Sequence, residues 1–406
     1  RSTPELDAAA RAREALRNAE IGIAEALDPQ TNLLVNDPTR VKSLLLAAVA
    51  DLNLAQSGGG PAAQITALRE QATETLNKIF LVNATSPIEL FNFEAAGATV
   101  EIQAIAQGPD GRPYVIDKVT GAVYRIDAER GRATVVYQPG FDLYGTRTGR
   151  ALLLAASGPD LLVFDASSNL WRWRPSDGAG KGTLVKLRVR DGELWGSDIK
   201  AIVGFAADPG TGLYRLYVVD PSARQILRYQ PAPDGTGYPA TPTAYLINPL
   251  SLGAMTGIAI DGDVYMTSDG ALRRYSGGAP DDWAPAVIGD ELLRPTLTPT
   301  LVMSAGAART GIVYVWDNSA QRVIAYSKAA SGAMLAQYVI TDQDAPIGEV
   351  LGGYILPASD GGAPTFVWAE LGRVRSAVLG KPVTPEPGAS AQPTPDPVIE
   401  TPIPTP

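Results

Sequence analysis

The chain has 406 residues and a formal net charge of −9, from 34 Lys and Arg against 43 Asp and Glu. It contains no His and no Cys, which excludes Ser–His–Asp and Cys–His nucleophilic sites, zinc sites with nitrogen or sulfur ligands, iron–sulfur clusters and disulfides. The acidic balance argues against nucleic acid as a partner, because a phosphate backbone is bound by a basic surface.

The first zone, residues 1–84, predicts α helices. Thr3-Pro4-Glu5 is a helix start, since a hydroxyl caps the free amides and Pro is tolerated at the first helical position. Apolar residues then recur at spacings of three and four until Asp28-Pro29 ends the pattern. A second helix opens at Asp37-Pro38 and a third after Pro61. We expect a small α-helical hairpin or bundle.

The second zone, residues 86–380, contains a recurring phrase. Each copy is an apolar strand that ends in a carboxylate, a short turn, and a second strand that in most copies carries Arg and an aromatic residue. The six copies lie about 48 to 55 residues apart, which is the period of a β-propeller with four-stranded blades. The first strands of the copies are Tyr114-Val-Ile-Asp117, Leu162-Val-Phe-Asp165, Tyr217-Val-Val-Asp220, Val264-Tyr-Met-Thr-Ser-Asp269, Tyr314-Val-Trp-Asp317 and the degenerate Phe366-Val-Trp-Ala-Glu370.

The Asp that ends each of these strands is predicted to be structural. It stands where the second strand of a blade turns into the third, and its carboxylate can accept hydrogen bonds from the amides of that turn. Copies spread around a ring favour a role in folding, because a binding site needs unlike residues at one place. The residues concerned are Asp117, Asp165, Asp220, Asp269 and Asp317.

A propeller must also close its ring. The last copy of the phrase runs into proline-rich sequence, so the sixth blade lacks an outer strand of its own. Residues 88–93 alternate in the manner of a strand and lie just before the first inner strand, Val100 to Ile105. We therefore predict that 88–93 completes the sixth blade, which would cover two sheet edges.

These phrases resemble those of the six-bladed propellers of the NHL and TolB-like group, over about 290 of the 406 residues. A helical segment joined to such a propeller is also similar in layout to the exported halves of membrane-anchored bacterial signalling proteins, although no kinase or phosphatase motif is present. The predicted fold is mainly β: a six-bladed β-propeller with an N-terminal α-helical hairpin or bundle and a Pro/Thr-rich C-terminal tail.

The third zone, residues 381–406, is rich in Pro and Thr. Proline fixes φ and removes amide donors, so this tail cannot form a packed core. Such stalks are typical of exported surface proteins, and we predict an extracellular or cell-surface location. No apolar run approaches the roughly 18–20 residues that span a bilayer. Val398, Ile399 and Ile403 are predicted to anchor the tail on a neighbouring copy of the chain.

Further candidate binding residues lie in loops at the end of the predicted channel. Tyr144, Trp195 and Trp283 stand in polar loops, where an aromatic ring can stack on a sugar or a partner protein. An open alternative is that each tryptophan fills a gap between blades. Asp261-Gly-Asp263 and Asp342-Gln-Asp344 have the oxygen ligands of calcium loops but not the full spacing, and we interpret them as a hairpin turn and an exposed loop.

No catalytic constellation or nucleotide-binding motif stands out. We therefore predict a non-enzymatic extracellular structural or interaction module that binds no cofactor or metal. It would assemble through its helical arm and tail into a surface polymer or filament, with further copies or another surface protein as partners. Two alternatives remain open: a ligand-sensing ectodomain of a membrane-anchored signalling protein, and a carbohydrate-active enzyme that works through paired carboxylates.

Overall fold

The structure is a computed structural model that describes residues 3–143, 145–176, 181–294, 297–329, 331–358 and 362–383, with side chains described from residue 8 onward. Its main body is a six-bladed β-propeller, which confirms the predicted fold class. In each blade four antiparallel strands are hydrogen-bonded in order from the inner strand to the outer strand.

The strands follow the recurring phrase of the sequence. The inner strands are Ile102–Gln107, Ala151–Ser157, Ala201–Phe205, Met255–Ile260, Pro299–Ala305 and Gly352–Leu356. The second strands are Pro113–Asp117, Asp160–Asp165, Arg215–Asp220, Val264–Ser268, Ile312–Asp317 and Thr365–Glu370. The third strands are Val123–Asp127, Leu170–Pro175, Gln225–Tyr229, Ala271–Ser276, Arg322–Ser327 and Arg373–Val378. The outer strands are Arg132–Tyr137, Gly182–Lys186, Thr243–Ala244, Ala279–Pro280, Met334–Ile340 and, for blade 6, Ile88–Asn92.

The ring is closed by the strand Ile88–Asn92, which pairs antiparallel with the third strand of blade 6. Ile88 lies opposite Ser376 and Asn92 opposite Arg373. The N–H of Phe93 then donates to the carbonyl of Gly372 at 3.0 Å. This is the pairing that the alternation at 88–93 predicts. Blade 6 is therefore built from one strand before the first blade and three strands at the end of the propeller.

Four helices precede the propeller: α1 Thr3–Ala26, α2 Leu33–Asn36, α3 Pro38–Ser57 and α4 Ala62–Ile79. Asp37 caps α3, because its carboxylate accepts the N–H of Arg40 at 3.0 Å. The long helices bury one stripe each, and this common core is made of Ala15, Leu16, Ala19, Ile23, Val41, Leu45, Ala48, Val49, Leu52, Ala55, Ile65, Ala72, Leu76 and Phe80 among others. We call residues 3–81 the helical arm.

The helical arm is fastened to blade 5. Directly after α4, the strand Val82–Thr85 runs parallel to the outer strand Met334–Ile340 and makes blade 5 five-stranded. The buried Gln337 side chain donates to the carbonyl of Phe80 at 3.0 Å, and Leu293 packs on the helical core. The sequence did not indicate this additional strand.

Neighbouring blades are clamped together at their outer sides. The segment that leaves one blade donates a backbone hydrogen bond to the next blade: Arg190 to Tyr238 at 2.9 Å, Ile247 to Gly278 at 3.0 Å, and Ala286 to Gly332 at 2.9 Å. Gly278 has a φ of +87°, and a Cβ there would lie 1.9 Å from the carbonyl oxygen of Tyr245. Only glycine satisfies both the left-handed backbone and this close approach.

Shorter elements complete the described residues. Asp142–Leu143 pairs antiparallel with Thr146–Arg147, and Arg188–Val189 runs parallel to Gly237–Tyr238. Single 3₁₀ turns occur at Ala128–Arg130, Gly192–Leu194 and Pro209–Thr211. The parallel pair lies between blades 2 and 3 and forms part of the site described next.

Candidate functional site

The carboxylate at the end of the second strand fastens a blade to the segment that enters it. Asp165 is the fullest case: it accepts the N–H groups of Gly149 at 2.7 Å, Ser167 at 2.9 Å and Asn169 at 3.0 Å. The indole N–H of Trp171 adds a fourth bond at 2.7 Å. In four other blades a backbone N–H of the entering segment donates an equivalent hydrogen bond to the carboxylate. These bonds are Glu101 to Asp117 at 3.3 Å, Gly196 to Asp220 at 3.1 Å, Thr298 to Asp317 at 2.9 Å and Gly348 to Glu370 at 3.2 Å. These acceptors are occupied by the fold.

Asp269 differs from the other four Asp residues. In blade 4 Ser268 lies opposite Met255, the first residue of the inner strand, just as Asp117 lies opposite Ile102 in blade 1. Asp269 is therefore one residue beyond the structural position, exposed in the turn with a φ of +51°. The strand Val264–Ser268 ends one residue before Asp269. Ser268, and not Asp269, therefore takes the place that the carboxylate has in the other blades.

Trp283 is buried between blades 4 and 5, with 4% of its surface exposed. Its indole N–H donates to the carbonyl of Ser327 at 2.9 Å, and its ring packs against Tyr265 with 5.5 Å between ring centroids. The guanidinium of Arg274 lies over the same ring at 5.4 Å. In this structure the residue fills the gap between two blades, so the face proposed for stacking is already covered.

Trp195 is half-buried between blades 2 and 3. Its indole N–H donates to the hydroxyl of Tyr229 at 2.6 Å, and Phe164 packs on the ring at 5.4 Å. One edge lines an open groove of about 370 Å³ with Lys186, Arg188 and Glu193. Most of the ring serves the contact between blades, and only that edge is available to a partner.

The four remaining predicted binding residues lie outside the part of the chain that the structure describes. They are Tyr144, Val398, Ile399 and Ile403. Their roles stay predictions.

The inner strands of the propeller carry no charged side chain. None of the six contains an Asp, Glu, Lys or Arg. Neighbouring inner strands are in direct contact, as where the Gln103 side chain donates to the carbonyl of Leu152 at 3.0 Å. These strands themselves thus supply no charged group for catalysis or for holding an ion.

Three of the four carboxylates in the two calcium-like loops form ion pairs with cationic side chains of the chain itself. Asp261 forms an ion pair with the buried ammonium of Lys328 at 2.5 Å and accepts a hydrogen bond from the hydroxyl of Ser304 at 2.7 Å. Asp263 pairs with Arg309 at 3.0 Å. Asp342 pairs with Arg375 at 2.7 Å. Among the residues that the structure describes, no group of three or more acidic side chains is placed to hold a metal.

The clearest cavity lies between blades 2 and 3 and encloses about 300 Å³. We call it the blade 2–3 cavity. Blade 2 contributes Asp160, Arg172 and Arg174. Blade 3 contributes Tyr214 and Tyr238, together with the loop 231–237. The apolar walls are Pro159, Leu187, Leu213, Pro231 and Pro233.

Asp160 organises the floor of the cavity. Its carboxylate, 1% exposed, accepts two hydrogen bonds from Arg174, at 2.7 Å and 2.9 Å. The hydroxyl of Tyr214 donates to it at 2.9 Å from the neighbouring blade. Such a bidentate pair offsets the cost of burying the charge. With three donors in place, this carboxylate is a structural acceptor and a poor candidate for a general base.

Arg172 lies beside the two tyrosines, and its Nη1 donates to the carbonyl of Gly235 at 2.7 Å. Burial raises the pKa of the Tyr214 phenol above its ordinary value, and Tyr238 and Asp160 raise it further, while Arg172 lowers it. Burial also raises the pKa of Tyr238, and Asp160 adds to the effect. Both phenols therefore stay protonated at neutral pH, and Tyr214 donates its proton to Asp160.

Sequence reasoning missed this cavity. Its one local signal is the connection between the third and outer strands of blade 3, residues 230–242, which is much longer than the corresponding 277–278 of blade 4. Tyr214 and Asp160 are 54 residues apart, and Arg172 belongs to the recurring phrase of blade 2, whose Arg the sequence did not single out. Only the stacking of blade 3 on blade 2 brings these groups together.

Comparisons with known proteins find similarity only among solved structures. No protein-family model and no curated protein matches the chain. Among solved structures, the PQQ-bound form of an aldose sugar dehydrogenase from Streptomyces coelicolor is 16% identical, with a TM-score of 0.42 over 72% of this chain and 98% of that one. A luciferin-regenerating enzyme is 10% identical, with a TM-score of 0.44 over 74% and 97%. The RRP9 WD40 repeats are 12% identical, with a TM-score of 0.47 over 73% and 99%. At this identity the likeness concerns the fold alone.

These comparisons correct the functional prediction made from the sequence. A non-enzymatic structural module, self-assembling into a polymer or filament, was inferred from the propeller architecture. That architecture also occurs in proteins named as enzymes, so it does not indicate a structural role, and no contact in the described residues supports a filament. That prediction is wrong and is not retained.

In the described part of the chain, none of the helices is both long and apolar enough to cross a membrane.

Proposed function

We propose that the protein binds a small polar molecule in the blade 2–3 cavity. The observation that carries this proposal is the convergence of polar side chains from two blades around about 300 Å³ of space, with Arg172 and Tyr238 beside Tyr214, which donates to Asp160. Small-molecule sites typically combine apolar walls with a few such polar groups. The six inner strands, by contrast, carry no charged side chain.

The chemistry of the cavity favours binding over catalysis. Both oxygens of Asp160 already accept hydrogen bonds, from the Arg174 guanidinium and from Tyr214, and the phenols are held in their protonated form. A general base must be placed to accept a proton from the substrate, whereas the carboxylate here is engaged by the fold. The fold itself is compatible with enzymes, and it is the residues of this cavity that support a binding role.

The test is to fill the cavity without touching its polar groups. Leu213 forms part of the wall, so Leu213→Trp should place a larger side chain in the space. The matched control is Ile247→Trp, at a surface residue that is 67% exposed. A panel of small carboxylates, phosphate esters, amino acids and sugars would be screened by thermal shift and the binders titrated by calorimetry.

We expect at least one class of compound to bind the parent protein and the Ile247→Trp variant equally, and to bind Leu213→Trp at least about tenfold more weakly, since the added ring occupies the ligand's space. Equal affinity for the Leu213→Trp variant, or no binder in the panel, would contradict the proposal.

The proposal also covers the family to which the propeller belongs and the cellular location of the protein. Membership of the NHL and TolB-like group, and a place in the exported half of a larger protein, are both supported by the recurring phrases and by the Pro/Thr-rich composition of 381–406. We propose that binding takes place outside the cytoplasm, with another copy or a surface protein as partner. Fractionation of the source cells and light scattering of the purified chain would test these two points separately.

A further inference from the structure

We infer that the ligand of the blade 2–3 cavity is a small oxyanion, a carboxylate or a phosphate, and that Arg172 binds its charged group. This inference rests on the proposed function and narrows it to one ligand chemistry.

The charge of Arg172 is uncompensated within the described structure. Its guanidinium donates to the neutral carbonyl of Gly235, but no carboxylate among the described residues lies within ion-pair distance of it. The corresponding arginines of blades 1 and 4 are different: Arg125 pairs with Asp110 at 2.7 Å and Arg274 with Asp281 at 2.8 Å. The position that forms an ion pair in blades 1 and 4 lines the cavity in blade 2, with Arg172 as its residue.

The nearest buried carboxylate cannot compensate this charge. Asp160 already shares both its oxygens with Arg174, and one of them with Tyr214. The Asp160–Arg174 pair is neutral as a unit, so Arg172 is the cation of the cavity that has no ion-pair partner among the described residues. Asp234 also lines the cavity and makes the charge of the lining zero in sum. Asp234 is exposed, however, and its carboxylate accepts from the N–H and hydroxyl of Thr236, at 3.0 Å and 2.7 Å, and not from Arg172.

The surroundings of Arg172 suit an anion of small size. The guanidinium is partly buried, so a hydrogen bond between it and an ionised oxygen is worth more than one on the open surface. Tyr238, protonated at neutral pH, lines the same space. The walls of Pro159, Leu213 and Pro231 would contact the uncharged part of the ligand. A cavity of about 300 Å³ admits a small molecule and excludes a polymer.

The experiment is a calorimetric titration of the full chain at constant ionic strength. The anionic probes are inorganic phosphate, acetate, succinate and citrate, and the neutral probes are glucose and glycerol. The test variant is Arg172→Gln. The matched control is Arg228→Gln, because Arg228 holds the same place in the blade 3 phrase, also lacks a carboxylate within ion-pair distance in the described structure, and donates from Nε to the hydroxyl of Thr243 at 3.2 Å outside the cavity.

We expect at least one anionic probe to bind, with an affinity that falls roughly 10- to 100-fold in Arg172→Gln, as for the loss of a hydrogen bond to a charged group. The affinity should be unchanged in Arg228→Gln and should decrease as salt is added. Binding of phosphate alone identifies a phosphate ligand, and binding of the organic acids alone identifies a carboxylate. Either result supports the inference.

Three results would overturn the inference. If anions bind the parent and Arg172→Gln equally, Arg172 is not the group that holds them. If only neutral probes bind, and Leu213→Trp abolishes that binding, the cavity is a ligand site but its ligand is not an anion. If no probe binds and the compound panel also fails, the proposed function fails together with the inference.

Discussion

Asp165 and Asp160 show how two buried carboxylates of one blade serve different purposes. Asp165 ends the second strand of blade 2 and accepts only from uncharged donors of the fold, among them Gly149 and Trp171. Asp160 begins the same strand and accepts from Arg174 and from Tyr214 of the next blade. The first holds a blade together, while the second shapes the wall of a cavity.

The role of Asp165 can be tested by Asp165→Asn. Both carboxylate oxygens accept hydrogen bonds from N–H donors, so an amide NH₂ must face at least one donor, whichever way it is turned. We expect a loss of about 2–4 kcal/mol in the free energy of unfolding, measured by urea denaturation.

The control for this measurement is Asp269→Asn, in the equivalent phrase of blade 4. Asp269 is exposed with φ near +51°, a conformation that Asn tolerates well, so the change should stay within about 0.5 kcal/mol. Equal effects of the two substitutions would refute the distinction drawn between them.

The sequence predicted single residues where they repeat, and failed where they do not. Asp117 and Asp165 were recognisable because the same phrase surrounds both. Arg172 has the same phrase around it, yet its importance depends on the missing carboxylate partner, which the pattern does not encode. Tyr238 follows a long loop of blade 3 and meets blade 2 only in the folded ring.

At the scale of elements, the propeller depends on clamps between blades as much as on the strands within them. The segment after the outer strand of blade 3 reaches blade 4 through the bond from Ile247 to Gly278. The parallel pair Arg188–Val189 and Gly237–Tyr238 does the same between blades 2 and 3. This second clamp forms one side of the cavity, so stability and binding share a structural element.

Two adjacent glycines allow the clamp to be tested. Gly277 and Gly278 both have positive φ, +57° and +87°, but only at Gly278 would a Cβ collide with a backbone carbonyl, that of Tyr245. We expect Gly277→Ala to cost about 1 kcal/mol in the free energy of unfolding, from backbone strain alone. Gly278→Ala should cost about 2–4 kcal/mol, because the segment from blade 3 must move away.

Chemical denaturation of the two variants, followed by circular dichroism, gives the comparison. If Gly278→Ala is no worse than Gly277→Ala, the close approach of the two blades is not as tight as the structure shows.

The elements themselves differ in how well they could be predicted. The closing strand Ile88–Asn92 was predictable because its residues alternate in the manner of a strand and the sixth blade lacks an outer strand of its own. The strand Val82–Thr85 was not, because its four residues, Val-Asn-Ala-Thr, are too short an alternation to distinguish from the end of the helical zone. Its pairing also depends on Gln337 and its neighbours, more than 250 positions away.

The stability of the whole molecule should depend little on pH near neutrality, because the chain has no histidine. No side chain with an ordinary pKa titrates between about pH 6 and 8, since histidine is the one that normally does. Several buried tyrosines respond only at alkaline pH. Burial raises the pKa of Tyr314 to about 12, and burial together with Asp261 raises that of Tyr265 to about 12.

These shifts predict alkaline denaturation. The folded-state pKa values lie above the unfolded value of about 10, so the unfolded chain loses its phenolic protons first. The stabilisation is complete below pH 10 and is lost as pH rises from 10 to 12, by about 1.4 kcal/mol per pH unit for each such tyrosine. Urea denaturation at a series of pH values should give a flat free energy of unfolding from pH 6 to 8 and a decline above pH 10. A steep dependence in the neutral range would contradict this.

The most direct measurement for the molecule as a whole is a crystal structure with the tightest-binding small anion from the titrations. Its charged group should lie in the blade 2–3 cavity, with an oxygen at about 2.7–2.9 Å from the guanidinium of Arg172, as in other charge-assisted hydrogen bonds. An anion bound elsewhere, with the blade 2–3 cavity empty, would contradict the account.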